Sequence, residues 1–374
     1  MKRLPDKKKR TEIGRRVFFF LAVIFIIVPV ACEKDITGIQ APVYWDESSP
    51  VAQGMDGGLL ANADGYARTQ MPFLHSLLVV RNNYLVFEKY YQGYNSTTAN
   101  NVQSITKSVV SILTGIALRE MLIDSLQLRL IEVLPEYFSA NSDPRIENMT
   151  LKNLLTMRSG FEWDDTGDIF WQWRASSDWV RFLLSLPLEY NPGAGFRYNS
   201  AVSHLMSVIL TKSAGQSTYQ FAEKVLYEPL RISCEQWNKD PQGYNIGGFD
   251  SYYTPRALAK IGALYLGGGL YNGRQIVPSE WVEESLHKYS TLTSTWGAVE
   301  NIGYGYFWWL GTIGGYSMFF ALGYGGQYIA VFPDLNLLVV TTAEWKFTAD
   351  VADQHERAIN RLFEKYIVPA IVRD

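Results

Sequence analysis

The order in which apolar periods occur along the chain constrains its fold more than any other feature. β-type runs stand near the start of the body and again towards its end, and helical patterning fills the stretch between. Leu77-Leu-Val-Val80 and Tyr84-Leu-Val-Phe87 flank the turn-prone triplet Arg81-Asn82-Asn83, a spacing that predicts a β-hairpin. Tyr304–Trp309, Ser317–Leu322, Gln327–Phe332 and Leu337–Thr342 predict further short strands. Leu151–Met157, Ser177–Leu186, Ser200–Leu210 and Pro278–Leu286 carry a helical period, as does the last segment, Ala349–Ile367. Such segregation predicts an α+β architecture: an antiparallel sheet from both chain ends flanked by helices, with a mostly helical insert over about 120–290.

Composition excludes several alternatives. At 374 residues, 47% hydrophobic and 19% charged, the chain has ample material for a core and is not a disordered polyelectrolyte. Cys32 and Cys234 are its only cysteines, which rules out a disulfide scaffold and makes Cys234 a candidate buried apolar filler. The net charge of −3 conceals an asymmetry: residues 1–31 hold eight basic and two acidic residues, so the remainder stands at −9. A body of that sign repels phosphate backbones, and nucleic acid is not an expected partner.

The basic start runs into an unbroken apolar stretch, Val17–Val28, and then Pro29-Val30-Ala31-Cys32. Charged start, apolar middle and small-residue end predict a signal peptide over 1–31. A helix from Val17 to Cys32 would reach only about 24 Å, short of a hydrocarbon core of about 30 Å. Val30-Ala31-Cys32 resembles the end of a bacterial lipobox, with Pro29 where leucine is usual. That resemblance implies lipidation of Cys32 and an exported, membrane-anchored protein of the cell envelope. Simple cleavage of the leader, or its retention, is the alternative. Residues 32–67 have no sustained period and read as a tether, leaving 68–374 as the folded domain.

Chemistry concentrates at Ser104-Ile-Thr-Lys107, an S-x-x-K at the start of a helical apolar pattern. Positions i and i+3 share a helix face, so the Lys107 amine can reach the Ser104 hydroxyl. Burial would lower the lysine pKa and fit it to act as a base. The plainer reading makes Ser104 a helix cap and Lys107 a solvated first-turn residue. Three later segments bear on the choice. They are Leu154-Leu-Thr-Met-Arg-Ser-Gly160, Asn191-Pro-Gly-Ala-Gly-Phe-Arg-Tyr-Asn-Ser200 and Gly323-Tyr-Gly-Gly-Gln-Tyr-Ile-Ala-Val-Phe-Pro333. Together and in this order the four segments resemble the serine β-lactamase and penicillin-binding-protein superfamily, in its class C, esterase and 6-aminohexanoate-dimer hydrolase branch.

The resemblance implies a β-lactamase/DD-peptidase-like fold and roles for particular residues. Ser104 matches the acylated serine, Lys107 its activating lysine, and Tyr198 the tyrosine that takes the serine proton and passes it to the leaving group. A free phenol titrates near pH ~10, so the neighbouring ammonium is expected to favour the phenolate. Ser200 stands where the family has asparagine and is a candidate substrate-binding residue with Gly323. The Ser104 and Tyr324 amides are the expected oxyanion donors. Where the family carries a cation in its third motif, this chain has Ala321-Leu322-Gly323. The missing cation points away from β-lactams and peptide C-termini, towards an ester or amide of a less acidic small-molecule or peptide-like substrate.

Trp163, Trp171, Trp173 and Trp179, with Asp164, Asp165 and Asp168, either line the cleft or pack the helical region. His204 reads as a packing histidine. There is no His-Glu-x-x-His, no Cys-x-x-Cys, no phosphate loop and no Gly-x-Ser-x-Gly, so no metal or organic cofactor is expected. The expected activity is that of an exported serine hydrolase. The alternatives are β-lactamase or D-amino-acid peptidase activity, and a non-catalytic lipoprotein using the fold as a binding module.

Overall fold

The predicted hairpin is present in the computed structural model, which describes residues 45–139 and 143–372. Leu74–Arg81 (β1) pairs antiparallel with Tyr84–Tyr90 (β2), Arg81 opposite Tyr84. The two residues between them, Asn82 and Asn83, both take positive φ (52° and 66°). Asparagine tolerates that conformation, and two such residues give a hairpin turn whose twist matches the strands. The leader, Cys32 and residues 32–44 lie outside the described residues.

Six more strands complete the main sheet: Ser290–Thr291 (β3), Glu300–Tyr304 (β4), Trp309–Ile313 (β5), Tyr316–Gly323 (β6), Gln327–Phe332 (β7) and Leu337–Ala343 (β8). Their spatial order is β2-β1-β8-β7-β6-β5-β4-β3, so the two chain ends meet where β1 pairs with β8. All neighbours are antiparallel. One expected strand, Tyr304–Trp309, is instead the turn between β4 and β5. The run Tyr304–Trp309 breaks because Phe307 takes φ 58° and a β-carbon at Gly305 would lie 2.1 Å from the Ser285 carbonyl oxygen. The turn leans onto the helical region instead, where the Phe307 N–H donates to Leu155 O and the Ser108 hydroxyl donates to Phe307 O.

Both faces of the sheet are covered, which explains why its central strands read as continuous apolar runs. Along β1 and β8, Leu78, Val80, Leu338 and Val340 join the core under the helical region. Their neighbours Leu77, Val79, Leu337 and Val339 join a second core on the opposite face. That second core corrects the expected tether. Gly57–Gln70 is a helix (α1), started by the Asp56 carboxylate accepting from the Gly58 and Leu59 amides at 2.7 and 3.2 Å. It buries Leu60, Ala63 and Ala67, a stripe too narrow to show as a period among three alanines and three glycines. Residues 46–48 lie along the outer edge of β2, the Ser48 N–H donating to Leu85 O and the Leu85 N–H to Asp46 O. The C-terminal helix Ala349–Leu362 packs on the same face through Ile359 and Leu362.

Helix α2 (Ile105–Arg119) passes through the centre of the other core and is buried on every side from Ile105 to Ala117. Helix Ser200–Ala214 (α3) packs against it, and helix Pro255–Leu266 (α4) packs against the sheet. The helix Ser279–Ser285 closes on α2 at Gly115, where a β-carbon would lie 2.3 Å from Trp281 Cγ. Alanine would favour the helix by about 1 kcal/mol, but overpacking against a buried indole costs about 1–3 kcal/mol. Gly115→Ala is therefore expected to be net destabilising, read as a lower urea midpoint at unchanged m-value.

Candidate active site

Ser104 stands immediately before α2 and makes no side-chain capping hydrogen bond, so its hydroxyl is not consumed by the helix. Its approach is rigidly held. Asn100–Asn101 pairs with Ser251–Tyr253, and the Val102 N–H donates to Ser251 O at 3.0 Å. Gln103 then adopts a left-handed φ of 49°, its N–H tied to Asn101 Oδ1 at 3.0 Å. A non-glycine residue held in that region stores strain next to the serine.

Lys107, one turn on, is 1% exposed. Its ammonium donates to Ser104 Oγ at 2.8 Å, Ser200 Oγ at 2.9 Å and the Gly248 carbonyl at 2.8 Å. All three protons are placed. Glycine at 248 permits the close approach, since a β-carbon there would lie 2.8 Å from Ser200 O. The Ser200 hydroxyl donates to Asp165 Oδ2 at 2.6 Å, and the Ser200 N–H donates to Asp165 Oδ1 at 2.9 Å. Trp163 Nε1–H also donates to Asp165.

Burial pulls the Lys107 amine down to about 8 against the attraction of Asp165. The Tyr198 ring lies 4.8 Å from Lys107 Nζ, and its phenol is close enough to Ser104 for that side chain to act on its ionisation. The phenol departs from the expected depression. Burial and the Asp165 charge push it well above its ordinary value, and the nearby Ser104 side chain only partly offsets them. An amine that gives up its proton at about 8 is no longer a cation where a phenol ionises, so it offers the phenolate nothing. Trp309 stacks beside the Tyr198 ring at 5.5 Å and Tyr304 meets it edge-on at 6.1 Å.

The far wall is the turn between β6 and β7. Gly323 lies against the loop before Ser104, where a β-carbon would be 2.2 Å from Val102 O. Within the turn the Gly326 N–H donates to Gly323 O at 3.1 Å, Thr341 Oγ1 donates to Gly326 O at 2.8 Å, and Gln327 brackets the Ala343 backbone. The Tyr324 phenol points away, donating to Phe347 O at 2.9 Å. Among the described residues the Tyr324 N–H has no acceptor.

The structure therefore brings Ser104, Lys107, Tyr198 and Ser200 together and sets Gly323 beside them. Ser200 is corrected in role: at 2% exposure, between Lys107 and Asp165, it holds the lysine and cannot face a substrate. Asn199 does not substitute for it, because its side chain caps α3. Asp165 and Gly248 are the partners sequence reasoning missed, and no spacing rule links them to Lys107. In the aromatic loop Trp163, Trp173 and Trp179 are core residues, whereas Trp171 is 64% exposed. His204 is a satisfied buried histidine, with Nε2 3.0 Å from Asp240 Oδ2 and Nδ1 accepting from the Gly247 N–H. Cys234 is buried and free. Among the described residues no cluster of three or more His, Cys, Asp or Glu side chains is placed to hold a metal ion.

The depressed amine has a consequence for stability. Between about 8 and the ordinary 10.5, the unfolded chain binds a proton at Lys107 that the folded chain does not, so stability rises with pH across that window. The interval corresponds to on the order of 3 kcal/mol. Lys107→Met is expected to lose this dependence, so that wild type gains on the variant from pH 8 to 10.5 in urea unfolding followed by circular dichroism.

The Beta-lactamase family model matches residues 74–362. An uncharacterised protein of Alkalihalophilus pseudofirmus is 25% identical over 305 residues, 71% of this chain and 82% of the relative. The 6-aminohexanoate-dimer hydrolase of Paenarthrobacter ureafaciens is 25% identical over 232 residues; the match spans 56% of this chain and only 56% of that enzyme. The octameric penicillin-binding protein homologue from Pyrococcus abyssi superposes with a TM-score of 0.64 at 19% identity, over 84% of this chain and 79% of that one. The family match spans the eight-stranded sheet, α2, α3 and positions 104, 107 and 198. The chain belongs to the beta-lactamase family of serine-hydrolase-like proteins.

Proposed function

We propose that the protein hydrolyses an ester or amide bond through an acyl-enzyme on Ser104. The observation that carries this reading is the set of acceptors around Lys107. Gly248 O can only accept, and the Ser200 hydroxyl proton is already committed to Asp165. A neutral Lys107 keeps two donors for those partners, and its lone pair is left facing Ser104 Oγ. Ser104 is thus the one neighbour whose proton the amine can take.

In this mechanism Lys107 accepts the Ser104 proton as Oγ attacks the carbonyl carbon. The Ser104 and Tyr324 amides hold the tetrahedral oxyanion. Tyr198, whose raised pKa keeps it a neutral phenol, gives its proton to the leaving group and recovers one from the Lys107 ammonium. Water then attacks the acyl-enzyme with the same groups acting in reverse, releasing the acid and restoring Ser104. Ala321, 1% exposed on β6, offers no charge to a substrate carboxylate, and Tyr198, Tyr304 and Trp309 form an aromatic wall. Both features suit an uncharged acyl or leaving group. Export and a lipid anchor at Cys32 complete the proposal and rest on the leader's three-part pattern.

A fluorophosphonate probe and a short-chain p-nitrophenyl ester test the reaction. Wild type is expected to label and turn over, and Ser104→Ala to lose labelling and at least about 10³-fold in rate; a folded wild type that does neither defeats the acyl-enzyme. Turnover of a chromogenic cephalosporin at a rate matching the ester would overturn the substrate assignment. For the anchor, palmitate labelling and membrane fractionation are expected to be lost in Cys32→Ser.

A further inference from the structure

The C-terminal helix Ala349–Leu362 (α5) carries a buried carboxyl that the mechanism above does not use. Glu356 is 6% exposed, and its Oε1 accepts the Gly325 N–H at 3.0 Å. No ion pair of Glu356 is present among the described residues. Arg357, the adjacent cation, is engaged with Asp353 at 2.6 Å. Burying a carboxyl without a cation is costly, and it is tolerated here for the sake of one backbone amide.

That amide belongs to the turn facing Ser104. Gly325 and Gly326 take φ of 87° and 111°, and the turn is wedged tightly. β-carbons there would lie 2.6 Å from Glu344 O and 2.4 Å from Ile359 Cδ1. In the peptide joining Tyr324 to Gly325 the carbonyl accepts from Gln327 Nε2 at a long 3.4 Å, and the N–H is held from α5, by Glu356 at 3.0 Å. Rotation of that segment would swing the Tyr324 N–H.

We infer that Glu356 is a positioning residue for acyl transfer: its carboxyl holds the Gly325 N–H and thereby aims the Tyr324 N–H at the developing oxyanion. The inference rests on the acyl-transfer reading of Ser104. Burial pushes the Glu356 carboxyl up to about 8, so it is neutral at neutral pH and ionises above. The groups that face it are Asp353 and Arg357 on its own helix, Tyr328 on β7, Tyr324 on the turn and Tyr198 across the site. Only Arg357 opposes a new negative charge, and Asp353 already occupies it. Ionised Glu356 would place a charge behind the donors that must bind an oxyanion. Activity therefore falls on the alkaline side, while loss of the Lys107 proton raises it from the acid side.

The test compares wild type, Glu356→Gln and Glu356→Ala on a p-nitrophenyl ester from pH 6 to 10, with inhibition by phenylboronic acid, which adds to a serine as a tetrahedral anion. Glu356→Ala is expected to lose about tenfold or more in kcat at nearly unchanged KM, with boronate affinity falling in parallel. Glu356→Gln, which can still accept from Gly325, is expected to recover most of that loss and to lack the alkaline decline. A glutamine variant that declines with wild type above pH 8, or an alanine variant with wild-type kcat, overturns the inference. If Glu356→Ala does not fold, the glutamine profile decides alone. Failure of wild type to label with fluorophosphonate would defeat the acyl-transfer reading itself, whereas labelling without any Glu356 effect would defeat only this inference.

Discussion

The site depends on a primary amine held almost wholly out of water. An isolated ammonium in that position would be forbidding, and Lys107 is tolerable because each of its protons meets an oxygen within 3 Å. Each oxygen comes from a different part of the fold: the start of α2, the start of α3, and the loop at Gly248. Asp165 adds a fourth element by fixing the Ser200 hydroxyl and supplying a compensating charge. Moving any one of these elements would leave a buried charge unpartnered, so the desolvation that tunes the amine also locks the helical region around it.

The sheet supplies the opposite wall and the stiffness. A sheet covered on both faces cannot flex into solvent, and β6 ends in a turn pressed directly against the residues preceding Ser104. α1, α5 and residues 46–48 close the outer face and the β2 edge. The carboxyl of Glu356 reaches through from that outer layer to the turn that forms this wall.

Tyr198 shows how environment reassigns a role. A cation near a phenol suggests a phenolate when only types and spacings are known. In the folded protein burial strips that cation's proton at about 8, before a phenol ionises, and the phenol is desolvated among Tyr304 and Trp309. Desolvation then dominates, which favours lysine as the group that takes a proton and tyrosine as the group that gives one.

Local rules determined much of this protein by sequence alone. Period and turn chemistry announced the Asn82-Asn83 hairpin, α2, α3 and the meander of strands from Ser317 onward, because each is set by residues a few positions apart. The order of four motifs identified the family and placed Ser104, Lys107 and Tyr198 together. Tertiary structure alone decided what those rules cannot reach. A helix as poor in large apolar residues as α1 forms because a sheet face needs covering. The run Tyr304–Trp309 breaks because its middle is required elsewhere. Ser200 holds a lysine instead of a substrate, and Asp165, Gly248 and Glu356 acquire their partners from 31 to 141 positions away. Burial and long-range contact set those outcomes, and neither is a property of neighbouring residues in the chain.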